Sequence, residues 1–260
     1  MILRPLQPPS RTSDKFVSAW EAVERTQTAN CESWWLITQP SHAALAAEIA
    51  ANITASEFPA PDPKILQAIA LHDAGWGMPD AQAIMKSRSV HPRQAQSFVA
   101  MPVAEFVEAW KQSIETCQST SPAGGYIVSR HFYRLAEHRV GAGQKESKDD
   151  ARRLESFLTA EERRQKKLAG KESLSIQQLE QLTDLLQFCD LWSLYMCSGA
   201  SENVVFPNYF GVELLITNNG ESYALNPAVL KRGAQFSIAA LRYPATKELS
   251  SKEIQIRIEQ

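Results

Sequence analysis

Apolar residues recur at helical spacing through most of the middle of the chain. The first such stripe steps by three, four and four residues, which places its members on one helix face: His42, Leu45, Ile49 and Ile53. Comparable stripes, some opened by a polar N-cap and two preceded by proline, predict these helices: Ser41–Ile53, Asp62–His72, Val103–Gln118, Ala123–His138, Asp150–Leu168 and Ile176–Cys197. We therefore predict a helical domain over residues 41–200.

Short β-branched and aromatic runs lie on both sides of this helical region. Ser33–Thr38 is typical of a strand, and pairing with Met1–Leu6 would give a short N-terminal hairpin. Near the other end, Asn219-Gly220 is a strong hairpin signal. The predicted C-terminal strands are Glu213–Thr217, Glu221–Leu225, Phe236–Tyr243 and Glu253–Ile258.

These elements predict a mainly α fold of the α+β type, a helical bundle with a small C-terminal antiparallel sheet. Residues 1–40 would form an N-terminal extension with one strand. Residues 201–260 would form a small β-rich region packed on the same domain.

Composition narrows the class of protein. The chain has 260 residues, of which 44% are hydrophobic and 22% charged, as in ordinary globular proteins. Its formal net charge of −2 argues against general binding of nucleic acids or anionic membranes. The sequence contains no apolar run long enough to span a membrane, and residues 1–14 lack the apolar core of a secretory leader, so we do not expect export. Its four cysteines lack Cys-x-x-Cys spacing, which favours reduced thiols and a cytoplasmic protein.

Several titratable residues lie on the apolar stripes of the predicted helices. His42, His131 and Asp190 share faces with core residues, and the pair His72-Asp73 ends its helix beside a turn. Burial of such groups is costly without a partner. Any one of them alone is more simply a core histidine or a capping aspartate, but the set favours a shared metal site. Its ligands suit a divalent transition metal, namely Mn, Fe, Co, Ni or Zn.

The order His, His-Asp, Asp resembles the HD superfamily of metal-dependent phosphohydrolases. This resemblance implies an HD-like helical bundle in which His42, His72, Asp73 and Asp190 bind the metal. The chain is more closely similar, over nearly its whole length, to an uncharacterised bacterial family that is related to the HD fold and labelled as a domain of unknown function. The matching stretches are 35–43, 72–76 with Asp80, 128–132 and 190–194.

The chain departs from that family at one position. Ala74 stands where an acidic residue is expected, so the proton shuttle that such an acid would supply is missing. His131 is expected at the site as a fifth ligand, a proton donor or part of a second metal site, with His138 outside it. Arg130 is a candidate clamp for an anionic phosphate, with an ordinary surface arginine as the equal alternative.

The favoured hypothesis is a divalent-metal hydrolase of phosphate esters that acts on a small phosphorylated molecule or nucleotide. Catalysis would use a metal-activated water, His131 and Arg130. Two alternatives stay open: a di-iron oxygenase of the HD type, and a non-catalytic relative that binds a ligand in the same pocket. The exposed edge of the C-terminal sheet would suit a homodimer.

Overall fold

The computed structural model describes residues 1–7, 13–87, 95–141, 146–220, 222–245 and 251–259. The helices are α1 (Ala19–Gln27), α2 (Gln39–Asn52), α3 (Pro63–Leu71), α4 (Gly77–Ser87), α5 (Val103–Thr120), α6 (Pro122–Gly141), α7 (Lys148–Ala169) and α8 (Ile176–Ser198). The strands are β1 (Ile2–Pro5), β2 (Phe16–Ser18), β3 (Trp34–Ile37), β4 (Asn203–Val205), β5 (Leu215–Asn218), β6 (Ser222–Asn226), β7 (Gln235–Tyr243) and β8 (Ser251–Glu259).

The strands form one mixed sheet that draws on both ends of the chain. Its order is β1-β3-β7-β8-β6-β5-β4-β2, and β2–β4 and β6–β8 are parallel pairs. The expected helical bundle with a small C-terminal antiparallel sheet is therefore wrong. The N-terminal strands join that sheet because β3 pairs with β7 and β2 with β4. They also provide both of its edges, β1 and β2.

Two local pairings agree with the sequence. Strands β5 and β6 form the antiparallel hairpin expected around Asn219-Gly220. Strands β1 and β3 pair antiparallel, with Ile2 opposite Ile37. The latter pair is not an isolated hairpin, however, because β2 and α1 separate the two strands along the chain and β7 pairs with the other side of β3.

The segment after α3 positions two of the candidate ligands. The side chain of Asp62 accepts hydrogen bonds from the first turn of α3, and the helix ends at Leu71 with His72 as its C-cap. A 3₁₀ turn, Ala74–Trp76, follows, and α4 begins at once at Gly77. Residues 77–87 thus form a helix, and the glycines at positions 75 and 77 lie at the junction of two helices.

Helices and sheet share a large hydrophobic core. The main cluster of buried side chains runs from α2, α3, α5, α6 and α8 to the inner face of β3, β6, β7 and β8. Asp80 on α4 connects the start of α2 with the N-terminus. Its carboxylate accepts a hydrogen bond of 2.6 Å from the Gln39 backbone amide and lies 2.9 Å from the Met1 amino group. No helix in the described ranges is long and apolar enough to cross a membrane.

Candidate metal centre

Three helices bring the predicted ligands together. His42 lies in the first turns of α2, His72 and Asp73 follow the end of α3, and Asp190 lies on α8. Helix α2 packs on both α3 and α8, so the three segments meet. The side chains of His42 and His72 are completely or almost completely buried, and 13% of the Asp190 side chain remains exposed. The resulting cluster of His42, His72, Asp73 and Asp190 is called the His-Asp cluster below.

The ligand-type atoms of this cluster face one another at short range. His42 Nε2 lies 2.7 Å from Asp73 Oδ2 and 3.8 Å from Asp190 Oδ1. His72 Nε2 lies 3.1 Å from Asp190 Oδ1 and 3.7 Å from Asp73 Oδ2. One ligand atom each of His42, His72 and Asp190 can be chosen so that all three lie within 4.8 Å of one another.

Neighbouring groups fix which nitrogen of each imidazole faces the centre. A backbone carbonyl can only accept, so His72 donates from Nδ1 to the Ile69 carbonyl at 2.7 Å. The Ser193 hydroxyl donates to the Asp190 carbonyl at 2.9 Å, and its oxygen therefore accepts from His42 Nδ1 at 2.8 Å. Both rings are thus held with Nε2 toward the carboxylates, which is the arrangement in which outer groups orient metal-binding histidines.

Burial and neighbouring charges act in opposite directions on the pKa values of His72 and Asp190. Burial alone lowers the pKa of His72, but the carboxylates of Asp73 and Asp190 outweigh it and raise that pKa to about 9. Burial raises the pKa of Asp190, yet its hydrogen bond with His72 and the charge of that imidazole lower it to about 2. In the metal-free protein, His72 and Asp190 therefore form a buried ion pair at neutral pH.

The donor set fits a divalent transition metal. Bonds of about 2.0–2.2 Å to nitrogen and oxygen place neighbouring ligand atoms roughly 3–3.6 Å apart. Of the separations above, 3.1 Å falls within this range, 3.7 and 3.8 Å lie just above it, and 2.7 Å lies below it. The ion would replace the proton shared by His72 and Asp190. Two imidazoles with two carboxylates are ligands that such ions accept. His42, His72 and Asp190 would hold the ion, with Asp73 alongside.

His131 lies beside the cluster, as the sequence indicated. It projects from α6 with its Nε2 3.8 Å from Asp190 Oδ2, and its ring meets that of His72 edge to face at 5.6 Å. Its Nδ1 is buried and has no hydrogen-bond partner among the described residues. Burial, together with the charges of His72 and Arg134, lowers the pKa of His131 to about 4, although the carboxylates oppose this change. His131 is therefore a neutral imidazole at physiological pH, whereas His138 is exposed at the far end of α6.

The arginine proposed from the sequence as a phosphate clamp is engaged elsewhere. Arg130 Nε donates to Glu180 at 3.1 Å, and the guanidinium lies over the ring of Tyr133. Arg134, one turn farther along α6, bonds Glu180 and Asp184 on α8 and contributes to the electrostatic environment of His131. Sequence reasoning singled out neither Arg134 nor Ser193, although Ser193 lies one turn from Asp190 on the same predicted helix.

One comparison with known proteins finds a match. A protein-family model described as "Protein of unknown function (DUF3891)" matches residues 26–232, which is most of the chain. The chain belongs to this family. The matched range contains the complete His-Asp cluster and His131, but not β1, β2, β7 or β8. No curated protein and no solved structure matches the chain. The resemblance to the HD superfamily is not tested by these comparisons and stays a prediction.

Proposed function

We propose that this DUF3891 protein is a divalent-metal-dependent hydrolase of phosphate esters, with a small phosphorylated molecule or nucleotide as substrate. The observation that carries the proposal is the convergence of His42, His72 and Asp190, with both imidazoles oriented by groups outside the cluster. A divalent ion bound there would activate water and polarise a phosphoryl oxygen.

Such a reaction also needs a group that carries a proton. Hydrolysis forms a bond between phosphorus and the oxygen of water, breaks the bond to the leaving alcohol, and moves a proton from water to that alcohol. His131 would carry the proton at Nε2. Its neutral imidazole beside Asp190 supports this role. This assignment supplies a proton carrier although position 74 is an alanine.

A single ion is favoured over the pair of irons that an HD-type oxygenase would need. Within the described part of the chain, one group of three or more such ligands converges, and that group is His42, His72 and Asp190. His131 stands beside this group rather than with a second set of ligands.

The proposal is tested by metal content and turnover measured on the same preparations. We expect about one transition-metal ion per chain by mass spectrometry, and hydrolysis of para-nitrophenyl phosphate or nucleoside monophosphates after loading with Mn²⁺, Fe²⁺, Co²⁺, Ni²⁺ or Zn²⁺. His42→Ala should lose both properties, whereas His138→Ala, the same change at an exposed position, should keep both. Nucleotide binding without turnover in the metal-loaded wild type would instead support the non-catalytic alternative.

Ser193 provides a test of how the histidine is oriented. Ser193→Ala removes the acceptor for His42 Nδ1 without removing a ligand, so we expect the affinity for Zn²⁺ to fall by roughly 10–100-fold. Ser198→Ala is the matched control, because Ser198 also donates to a carbonyl three residues before it on α8 but does not contact the cluster. Competition with a chelating dye measures both affinities. Equal affinities in the two variants would show that Ser193 does not orient a ligand.

A further inference from the structure

A group of cations that includes no member of the His-Asp cluster lies on the inner face of the sheet. Arg4 pairs with Trp35 across β1 and β3, and Trp35 pairs with Arg242 across β3 and β7. Directly paired residues project from the same face. Lys252 on β8 pairs with Ala240, two positions before Arg242, and therefore joins that face.

An open cleft of about 650 Å³ lies where this face reaches the surface. Trp35, Arg242 and Lys252 line this cleft. Among the described residues that line it, Glu32 is the acidic one. The volume falls within the range of about 300–1,000 Å³ that is usual for small-molecule sites. Because two basic side chains face one acidic side chain, the cleft has an excess of positive charge.

The three cations of this face differ in whether they have hydrogen-bond partners. Arg4 donates to the Met196 carbonyl at 2.7 Å, near the C-terminus of α8, where a cation is favourable. Arg242 Nε, in contrast, is buried and has no hydrogen-bond partner among the described residues. The Lys252 ammonium lies 4.7 Å above the Trp35 ring, and burial followed by the charge of Arg4 lowers the pKa of Lys252.

We propose that this cleft is a binding site for a small polyanion of the phosphate class, held by Arg242 and Lys252. A buried guanidinium donor without a partner costs free energy that an oxyanion would recover, and charge-assisted bonds from guanidinium to phosphate are among the strongest available. The ammonium over Trp35 supplies a second positive charge on the same side. The inference stands independently of the hydrolase proposal, because the two sites share no residue.

Calorimetric titration of the full chain with inorganic pyrophosphate, in the presence of a chelator, tests this site. We expect one saturable site per chain and at least a tenfold loss of affinity in both Arg242→Met and Lys252→Met. Arg257→Met is the matched control, because Arg257 is exposed on β8 and projects from the opposite face. It should bind as the wild type does, and so should His72→Ala.

Three results would overturn the proposal. The first is the absence of saturable pyrophosphate binding to the wild type. The second is an equal loss of affinity in Arg257→Met, which would indicate general charge attraction. The third is a loss of affinity in His72→Ala with none in Lys252→Met, which would place the anion at the His-Asp cluster. Lys252 is more exposed than Arg242, so its variant keeps the test valid if Arg242→Met fails to fold.

Discussion

Replacing Gly75 with alanine is expected to destabilise the protein by at least about 3 kcal/mol, the upper part of the usual range for overpacking. A Cβ at this position would lie 2.0 Å from the carbonyl oxygen of Ala109 and 2.9 Å from the Cβ of Gln112. The Gly75 amide also donates to the Ser113 hydroxyl at 3.0 Å. The turn therefore rests directly on the backbone of α5 and can accept a methyl group only by moving away.

Movement of this turn would also disturb the candidate metal centre. Gly75 is two residues from Asp73 and three from His72, so we expect Gly75→Ala to lose metal together with stability. Thermal unfolding should show a melting temperature lower by roughly 6–12 °C for a chain of this size. Metal content of the folded fraction should fall in the same preparation.

Gly77→Ala provides the control within the same segment. The nearest atom to a Cβ there is Pro40 Cγ at 3.8 Å, and Gly77 already has helical backbone angles of −57° and −44°. We expect this variant to be neutral or to gain about 0.5–1 kcal/mol by restricting the unfolded chain. If Gly75→Ala has the same melting temperature as the wild type, the close contact with α5 is not present in solution.

The role of Gly75 illustrates what local sequence patterns leave out. The pattern correctly placed a break in the chain near residues 75–77, but the contact that requires a glycine comes from α5, more than thirty residues farther along. Gly75 does not have a positive φ, so no turn pattern in the sequence indicates that glycine is required there. Close approach between distant segments becomes visible only when the fold is known.

The burial of the candidate ligands could be predicted because helical periodicity reports it directly. His42 and His131 were expected on apolar stripes, and both are buried in the core. Asp190 was expected on such a stripe as well, and it retains partial exposure beside them. The pairing of His42 with Asp73 and its support by Ser193 could not be predicted, since these contacts depend on ring orientation and on how helices from distant parts of the chain approach one another.

The sheet was mispredicted for a related reason. Alternation and β-branched residues identify strands such as β3 and β7, but they carry little information about which strand pairs with which. The parallel pairs β2–β4 and β6–β8 join segments that are distant along the chain or separated by a third strand. The predicted strands were therefore assigned to separate N-terminal and C-terminal units, whereas β2 pairs with β4 and β3 pairs with β7.

The second large effect is expected at Asp190, where asparagine should abolish metal binding while the chain remains folded. The carboxylate offers one oxygen 3.1 Å from His72 Nε2 and a second 3.8 Å from His131 Nε2, so it lies between the imidazoles. An amide of the same shape lacks the negative charge that a divalent ion requires. We expect the affinity for Zn²⁺ or Mn²⁺ to fall by more than the roughly 100-fold limit typical of residues that only support a ligand.

Thermal unfolding with and without metal separates this effect from a change in the fold. An ion at 100 times its Kd should stabilise the wild type by about 2.7 kcal/mol, and Asp190→Asn should lose that stabilisation. Asp184→Asn is the matched control, because Asp184 lies on the same helix and bonds Arg134 rather than the cluster. It should keep the full metal-dependent shift. Retention of the shift in Asp190→Asn would mean that the ion binds elsewhere, and the buried histidines and carboxylates would then be a structural ion-pair network without a role in hydrolysis.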